Sequence, residues 1–307
     1  MLDFGHNPVM LKEALEYLAP KKGGTYIDCT LGRGGHSEAI IIALGSAGKL
    51  FGFDQDPTAI QETQTRLKQY KNIKLIQDNF SNMDKYMKEK SIDGILFDLG
   101  VSSPQLDNAT RGFSWVNDGP LDMRMDPSSE LTAAKVVNSY IFDDLAHIFK
   151  DYGEERYAKR IASAIDMDRQ KEPFKTTKQF SDFLFRVAQG SSEHKRATVM
   201  RIFQALRIEV NQELRSIEVG LEKALKLLKK DGRLVAISFH SLEDRIVKHF
   251  MQREAKACIC PPNLPICNCK HSAELKILTK KPVTAAEEEV EHNPRSKSAK
   301  LRAALKI

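Results

Sequence analysis

Gly32-Arg33-Gly34-Gly35 lies between a short apolar run over residues 25–29 and a helical stretch over 37–44, and no other feature constrains the fold as much. Glycines at a strand-to-helix junction let the backbone turn tightly and approach a ligand, while the helix N-terminus presents free amides. The chain around this junction alternates. Residues 49–53 read as a second strand and 57–70 as a second helix, with Pro57 suited to its first turn. Residues 73–76 read as a third strand and 94–99 as a fourth, apolar until Asp98. Strands alternating with helices predict a parallel sheet covered on both faces.

The alternation stops at about residue 108 and resumes near 211. Between them the pattern is helical and loop-like, with no convincing strand. It then predicts a helix over 211–230 closed by Asp231-Gly232, a strand over 234–239 and a helix over 241–256. The expected organisation is an α/β core over 1–107, an inserted helical domain over 108–210, and a second part of the core over 211–307 carrying a Cys-rich loop and a basic tail. The pattern over 300–307 fits either strand or helix.

The second strand ends in Asp54, where doubly wound sheets use a carboxylate to accept hydrogen bonds from ribose hydroxyls. The dinucleotide fingerprint G-x-G-x-x-G would need glycine at position 37, which is Ser37. S-adenosylmethionine has no pyrophosphate and tolerates a looser loop, so it is the cofactor favoured. The fourth strand ends Asp98-Leu99-Gly100-Val101-Ser102-Ser103-Pro104-Gln105. An Asp-led, proline-containing loop there suits methylation of an exocyclic amine. The amine lone pair is delocalised into the base, and acceptors on its hydrogens favour pyramidal nitrogen and aim the lone pair at the methyl group. Asp98, with Ser102 and Pro104, is the catalytic candidate.

Several blocks resemble the bacterial 16S rRNA (cytosine-N4)-methyltransferase family. They are Tyr26-Ile27-Asp28, the glycine loop through Ser37, Asp98 through Asp107, Arg111-Gly112-Phe113-Ser114, Gly119 through Met125, Phe203 through Asn211 and Ser238 through Arg245. The resemblance implies a Rossmann-like class I methyltransferase core, seven-stranded and mostly parallel, with an inserted helical domain. It implies S-adenosylmethionine held by Gly34, Gly35, His36, Asp54, Phe80, Asp98 and Gln105. It also implies methylation of N4 of one cytidine in the decoding region of small-subunit RNA, by direct in-line transfer. Trp115, the only tryptophan, stands where the family usually has Phe. No aromatic follows Pro104, so Phe113 or Trp115 is a candidate to stack on the base; core packing is the alternative for both.

Charge alone does not identify an RNA partner. The net charge is +6, and residues 245–307 carry 13 Lys/Arg against 6 Asp/Glu, whereas 111–215 are balanced at 17 against 16. Lys195, Arg196, Arg201 and Arg207, with Arg215, offer a basic stripe at helical spacing, and His240 and Arg245 follow a strand's carboxyl end. These are the candidate RNA contacts, with a solvated helix face as the alternative. Cys258, Cys260, Cys267 and Cys269 form two C-x-C pairs. Four thiolates suit structural zinc, but the commonest zinc spacing is wider, and a reduced thiol-rich loop is the favoured reading. Some members of the family have this segment and others lack it, which argues against a catalytic role. Cys29 is expected to be a small buried hydrophobe. Met1 through His6 contains no signal-like run, and no stretch is apolar enough to span a membrane, so a cytoplasmic enzyme is expected. The rivals are a methyltransferase acting on DNA or protein, and a nucleic-acid-binding regulator on the same fold.

Overall fold

The computed structural model describes residues 8–261 and 267–307. The reading of the N-terminus falls on residues outside this set. By its internal contacts the chain divides into two compact units, one of 1–100 with 214–307 and the other of 101–213.

The first unit begins with α1 (Leu11–Leu18), β1 (Thr25–Asp28), α2 (Gly35–Leu44), β2 (Lys49–Asp54), α3 (Pro57–Arg66), β3 (Ile73–Gln77) and β4 (Ile92–Asp98). The second unit contains α4 (Ser103–Asp107), α5 (Ala133–Ser139), α6 (Phe142–Asp151), α7 (Ala158–Asp168), α8 (Thr177–Val187) and α9 (Ser192–Asn211). After α10 (Glu213–Leu227), the chain adds β5 (Leu228–Ser238), α11 (Ser241–Glu254), β6 (Leu275–Ile277), β7 (Val283–Thr284), α12 (Glu287–His292) and β8 (Lys300–Lys306).

The strands form one sheet in the order β3-β2-β1-β4-β5-β8-β6, with two-residue β7 also paired to β8. Strands β1 to β5 pair in parallel and β8 is antiparallel to its neighbours. This is the Rossmann-like class I methyltransferase sheet. From β1 the strand order runs outward to β3 on one side and through β4 to β5 on the other. The carboxyl ends of β1 and β4 therefore border the crevice where such sheets bind ligands. One buried cluster, including Ile27, Phe53, Ile95, Phe97 and Leu221, packs on one set of side chains; another, including Tyr26, Ile40, Leu44, Leu96 and Ile237, packs on the other. Strands buried on both faces explain why β4 reads as a continuous apolar run rather than an alternating one.

Three expectations shift. The helix expected over 57–70 ends at Arg66. The helix expected over 211–230 stops at Leu227, and Asp231, at φ 63°, lies inside β5, where the pairing with β4 jumps from Ile92↔Leu228 to Gly94↔Arg233. Asp231-Gly232 thus makes a bulge in a strand, a use of a turn pair that resembles a helix stop in sequence. Residues 300–307 settle as a strand. Leu301, Ala303 and Ala304 are buried there, while Arg302, also buried, is held by Asp244 at 2.6 and 3.1 Å.

The second unit has its own core, with Val136, Phe149, Ile161, Phe180, Ile202 and Leu206 at its centre. Its strand pairing, among the described residues, is a single bridge between Pro120 and Thr176. Two of the sequence blocks lock together here: Asn211 accepts from the Met125 amide at 2.7 Å and donates to the Met123 carbonyl at 2.8 Å. Arg111 donates to the Arg124 and Met125 carbonyls at 2.9 and 3.0 Å.

Candidate active site

The turn after β1 is built by close packing as much as by room for a ligand. Gly34 caps α2 at φ 75°, a left-handed conformation, and a Cβ there would lie 2.7 Å from Thr63. A Cβ on Gly35 would lie 2.3 Å from Pro8. Both glycines are therefore required by the protein's own side chains. At Gly32, by contrast, a Cβ would meet nothing within 4 Å, so the open face of the loop is there.

Asp54, at the end of β2, anchors this loop. One of its oxygens accepts from the Gly32 amide and the other from the Asp56 amide, both at 2.9 Å. Each carboxylate oxygen has capacity for a further donor. Burial pushes the Asp54 carboxyl up to about 6, against the lowering effect of those two amides. Asn79, after β3, donates to Gln55 at 3.1 Å and to Ser216 at 3.2 Å. Next to it, Phe80 meets Phe97 edge-on at 5.4 Å and leaves no room for a Cβ on Gly220, whose nearest ring atoms would be 2.8 Å away. Phe80 is thus half a core residue, with part of its ring still exposed.

At the ends of β1 and β4 three ionisable side chains meet. His36, buried in the first turn of α2, places Nδ1 3.4 Å from Oδ2 of Asp98. Its Nε2 lies 3.1 Å from the Val9 carbonyl, which can only accept, so Nε2 carries a hydrogen. Burial works against a charged imidazole, but Asp98, with Asp28 behind it, outweighs this and raises the His36 pKa. Asp28 is fully buried and accepts from the Ser37 hydroxyl at 2.7 Å and the Thr30 amide at 3.2 Å. Burial nevertheless pushes it up to about 6. The Asp98 amide donates to the Thr30 hydroxyl at 2.7 Å, fixing the end of β4 to the loop after β1. The other carboxylate oxygen of Asp98, Oδ1, is buried and has no hydrogen-bond partner among the described residues. A buried acceptor without a donor is costly, and it marks where a ligand's N–H would be received. Asp28, Thr30 and Ser37 have no role assignable from the sequence pattern alone, although Asp28 closes the Tyr26-Ile27-Asp28 block. A carboxylate closing the first strand was the available signal.

Ser102 and Pro104 fall at the start of α4. The Ser102 amide donates to Oε1 of Gln105 at 3.0 Å, and the Gln105 and Leu106 amides donate to the Ser102 carbonyl at 3.1 and 3.3 Å. The Pro104 carbonyl accepts from Asn108 at 3.0 Å. Buried Gln105 therefore holds the turn of its own loop, and the Ser102 and Pro104 carbonyls are already engaged in it. That leaves Asp98 as the least committed acceptor of the three catalytic candidates.

The expected basic stripe is not a row of free charges. Arg201 pairs through Nε and Nη2 with Glu155, whose side chain is 0 % exposed, at 2.8 and 2.5 Å. Arg207 makes a two-pronged pair with Glu213, both contacts 2.9 Å, the side chains 16 % and 9 % exposed. Lys195 is half-buried and Arg196 exposed in the first turns of α9; Arg215 on α10 and Arg245 on α11 are exposed too. His240, half-buried after β5, has Nε2 3.1 Å from Glu243. Phe113 is buried in the core of the second unit, and Trp115 packs on Phe185 at 6.0 Å. Core packing is what the structure shows for Phe113, while Trp115 packs against the margin of that core and stays partly exposed. Cys29 is buried at the end of β1, as expected.

A sheet of this order, with a glycine turn after β1 and carboxylates closing β2 and β4, defines an S-adenosylmethionine-dependent methyltransferase. The chain belongs to the MraW methylase family, whose model matches residues 3–307. It is 49% identical over 306 residues to the Ribosomal RNA small subunit methyltransferase H of Halothermothrix orenii, covering 98% of each chain. It is 50% identical over 311 residues to the protein of that name from Caldicellulosiruptor saccharolyticus, covering 99% of this chain and 100% of the other. The Carboxydothermus hydrogenoformans protein of the same name is 47% identical over 310 residues, with 100% and 99% covered.

Proposed function

We propose that the protein transfers a methyl group from S-adenosylmethionine to the exocyclic N4 amine of one cytidine in 16S ribosomal RNA of the small subunit. The name shared by its relatives, found along their whole length, supports the RNA substrate. The observation that carries the chemistry is the unpartnered Oδ1 of Asp98 at the end of β4.

The donor set fits the cofactor. Asp54 would receive the ribose hydroxyls, the open face at Gly32 and the turn through Gly34 and Gly35 would take the methionine portion, and the exposed part of the Phe80 ring would meet the base. His36 acts through Asp98, and Gln105 through its own loop. When bound, the cofactor supplies a methyl group on a cationic sulfur, already a good leaving group. The protein's task is alignment. Asp98 Oδ1 accepts an N–H of the cytosine amine, which favours pyramidal nitrogen and turns its lone pair toward the methyl group. The Asp98 amide on Thr30 and Oδ2 on His36 keep Oδ1 from turning away.

The helical unit of 101–213 is the proposed RNA-recognition domain, with Lys195 and Arg196 as its readiest phosphate contacts; His240 and Arg245 serve on the core side. Arg201 and Arg207 act mainly by holding that unit together. Among the described residues no helix is long and apolar enough to cross a membrane, and the enzyme's proposed place is the cytoplasm, with the ribosomal subunit. The test is mass spectrometry of nucleosides from 16S RNA before and after incubation with enzyme and labelled cofactor. Labelled N4-methylcytidine is expected. Label in another nucleoside, or none, overturns the assignment.

A further inference from the structure

Cys258, Cys260, Cys267 and Cys269 are separated in sequence by a pattern that leaves zinc and a free thiol loop open. Their arrangement in space is more decisive. The four sulfurs all lie within 4.8 Å of one another. Cys258 and Cys267 are 3.4 Å apart, Cys267 and Cys269 3.5 Å, Cys258 and Cys269 3.8 Å, and Cys260 and Cys267 3.9 Å. Zinc–thiolate bonds of about 2.3 Å in a tetrahedron set each edge between sulfurs at about 3.8 Å. Four of the six edges thus lie close to that length and the other two within 4.8 Å, a spacing that suits one tetrahedral ion, and all four cysteines are free.

We propose that these four cysteines bind one structural zinc ion that staples the segment between α11 and β6. Backbone amides are already turned to the sulfurs: Cys260 donates to Cys258 Sγ at 3.4 Å, and Ile259 and His271 donate to Cys269. Such donors offset the negative charge that four thiolates leave around a divalent ion. Zinc entry displaces the four thiol protons to solvent and changes no oxidation state.

The position argues for a structural role. Helix α11 starts just past the carboxyl end of β5, on the side of the sheet where Asp98 closes β4. Its 14 residues run back along the sheet for about 21 Å. The cysteines follow its C-terminus, so they sit at the end of the sheet remote from Asp98. The chain at 256–261 and 267–274 forms neither helix nor strand. Its foot is tied down by the Glu274 amide on the Glu254 carbonyl at 2.8 Å and by His271 Nε2, 3.2 Å from the Arg253 carbonyl. A metal staple would hold the two described stretches, 256–261 and 267–274, together and set the entry of edge strand β6.

The experiment uses the full chain, purified with reductant and without chelator, then passed through a desalting column. Elemental mass spectrometry is expected to find about one zinc per chain. A variant with Cys258, Cys260, Cys267 and Cys269 all replaced by Ser should lose at least about tenfold of it. Thiol alkylation read by peptide mass covers the case in which that variant does not fold. In the wild type the four thiols should be protected, exposed by a chelator, and protected again on adding zinc alone. Less than about 0.1 zinc per chain with equal alkylation in every state overturns the proposal. So does iron in place of zinc, or disulfides joining these cysteines in the purified protein.

Discussion

Replacing Asp98 separates alignment from every other role the active site plays. In Asp98→Ala both carboxylate oxygens disappear. The acceptor proposed for the cytosine amine, Oδ1, is lost, and His36 loses the group 3.4 Å from its Nδ1. A hydrogen bond to a charged group contributes about 1.5–3 kcal/mol, and removing one positioned transition-state contact costs about 2.7–4 kcal/mol. The single-turnover rate at saturating cofactor should therefore fall roughly a hundred- to a thousandfold. Asp98→Asn keeps one oxygen acceptor but can present its amide nitrogen to His36. If acceptor geometry dominates, the Asn variant should retain about tenfold more rate than the Ala variant. If the carboxylate takes the proton as the amine becomes cationic, both variants should be equally slow. Calorimetric titration of the cofactor separates lost chemistry from lost binding. A near-normal rate in Asp98→Ala would remove this residue from the reacting centre and refute the argument built on its unpaired oxygen.

Three further outcomes are expected. Asp54→Ala should weaken cofactor binding about ten- to a hundredfold by calorimetry. In the wild type, affinity should rise as pH increases through about 6, because ionised Asp54 is the stronger acceptor for the proposed ribose contact; Asp54→Asn should flatten that part of the profile, and an unchanged profile counts against the ribose role. Arg207→Ala leaves the nearly buried Glu213 carboxylate without its two-pronged partner, which costs roughly 3–5 kcal/mol and should lower the melting temperature by more than about 5 °C. Unchanged stability with weaker RNA binding would return Arg207 to the RNA surface. Lys195→Ala with Arg196→Ala should lower the slope of log affinity against log salt by about 1.4 if both reach phosphates of a single-stranded region, with cofactor affinity unchanged; an unaltered slope places the contacts elsewhere.

What the sequence made legible is the part dictated by local pattern. The strand–glycine turn–helix unit, Asp54 and Asp98 at strand ends, and the interruption of alternation all follow from periodicity and turn chemistry. The strand at 300–306 was not decidable, because a run of Leu and Ala with Lys and Arg suits either period. Only its place between β5 and β6, with Arg302 on Asp244, makes it a strand. The ion pairs of the basic residues on α9 are illegible in sequence for a related reason. Arg201 and Arg207 read locally as free cations of a helix, but Glu155 lies 46 residues away from its partner, and no local pattern announces that pairing. The opposite holds for Gly34 and Gly35, whose need is visible in sequence while its cause, Thr63 and Pro8, is not.

The raised carboxyls of buried Asp28 and part-buried Asp54 explain why the site is poised for a cation. Asp28 and Asp54 each have a carboxyl pushed up to about 6, above the ordinary 3.8, with burial as the leading cause. A carboxyl whose pKa is higher in the folded chain adds stability at low pH, and that contribution is lost as pH rises through about 6. At neutral pH both acids therefore work against the fold. Asp98 adds a third carboxylate, and His36 lies 3.4 Å from it. A fold retains such a local cost where a ligand relieves it. The cofactor's sulfonium and ammonium, held by the residues proposed for them, would supply positive charge that these carboxylates can use. Cofactor binding should then favour their ionised forms and release protons below about pH 6, which is why affinity for the cofactor and stability of the empty protein are expected to move in opposite directions with pH.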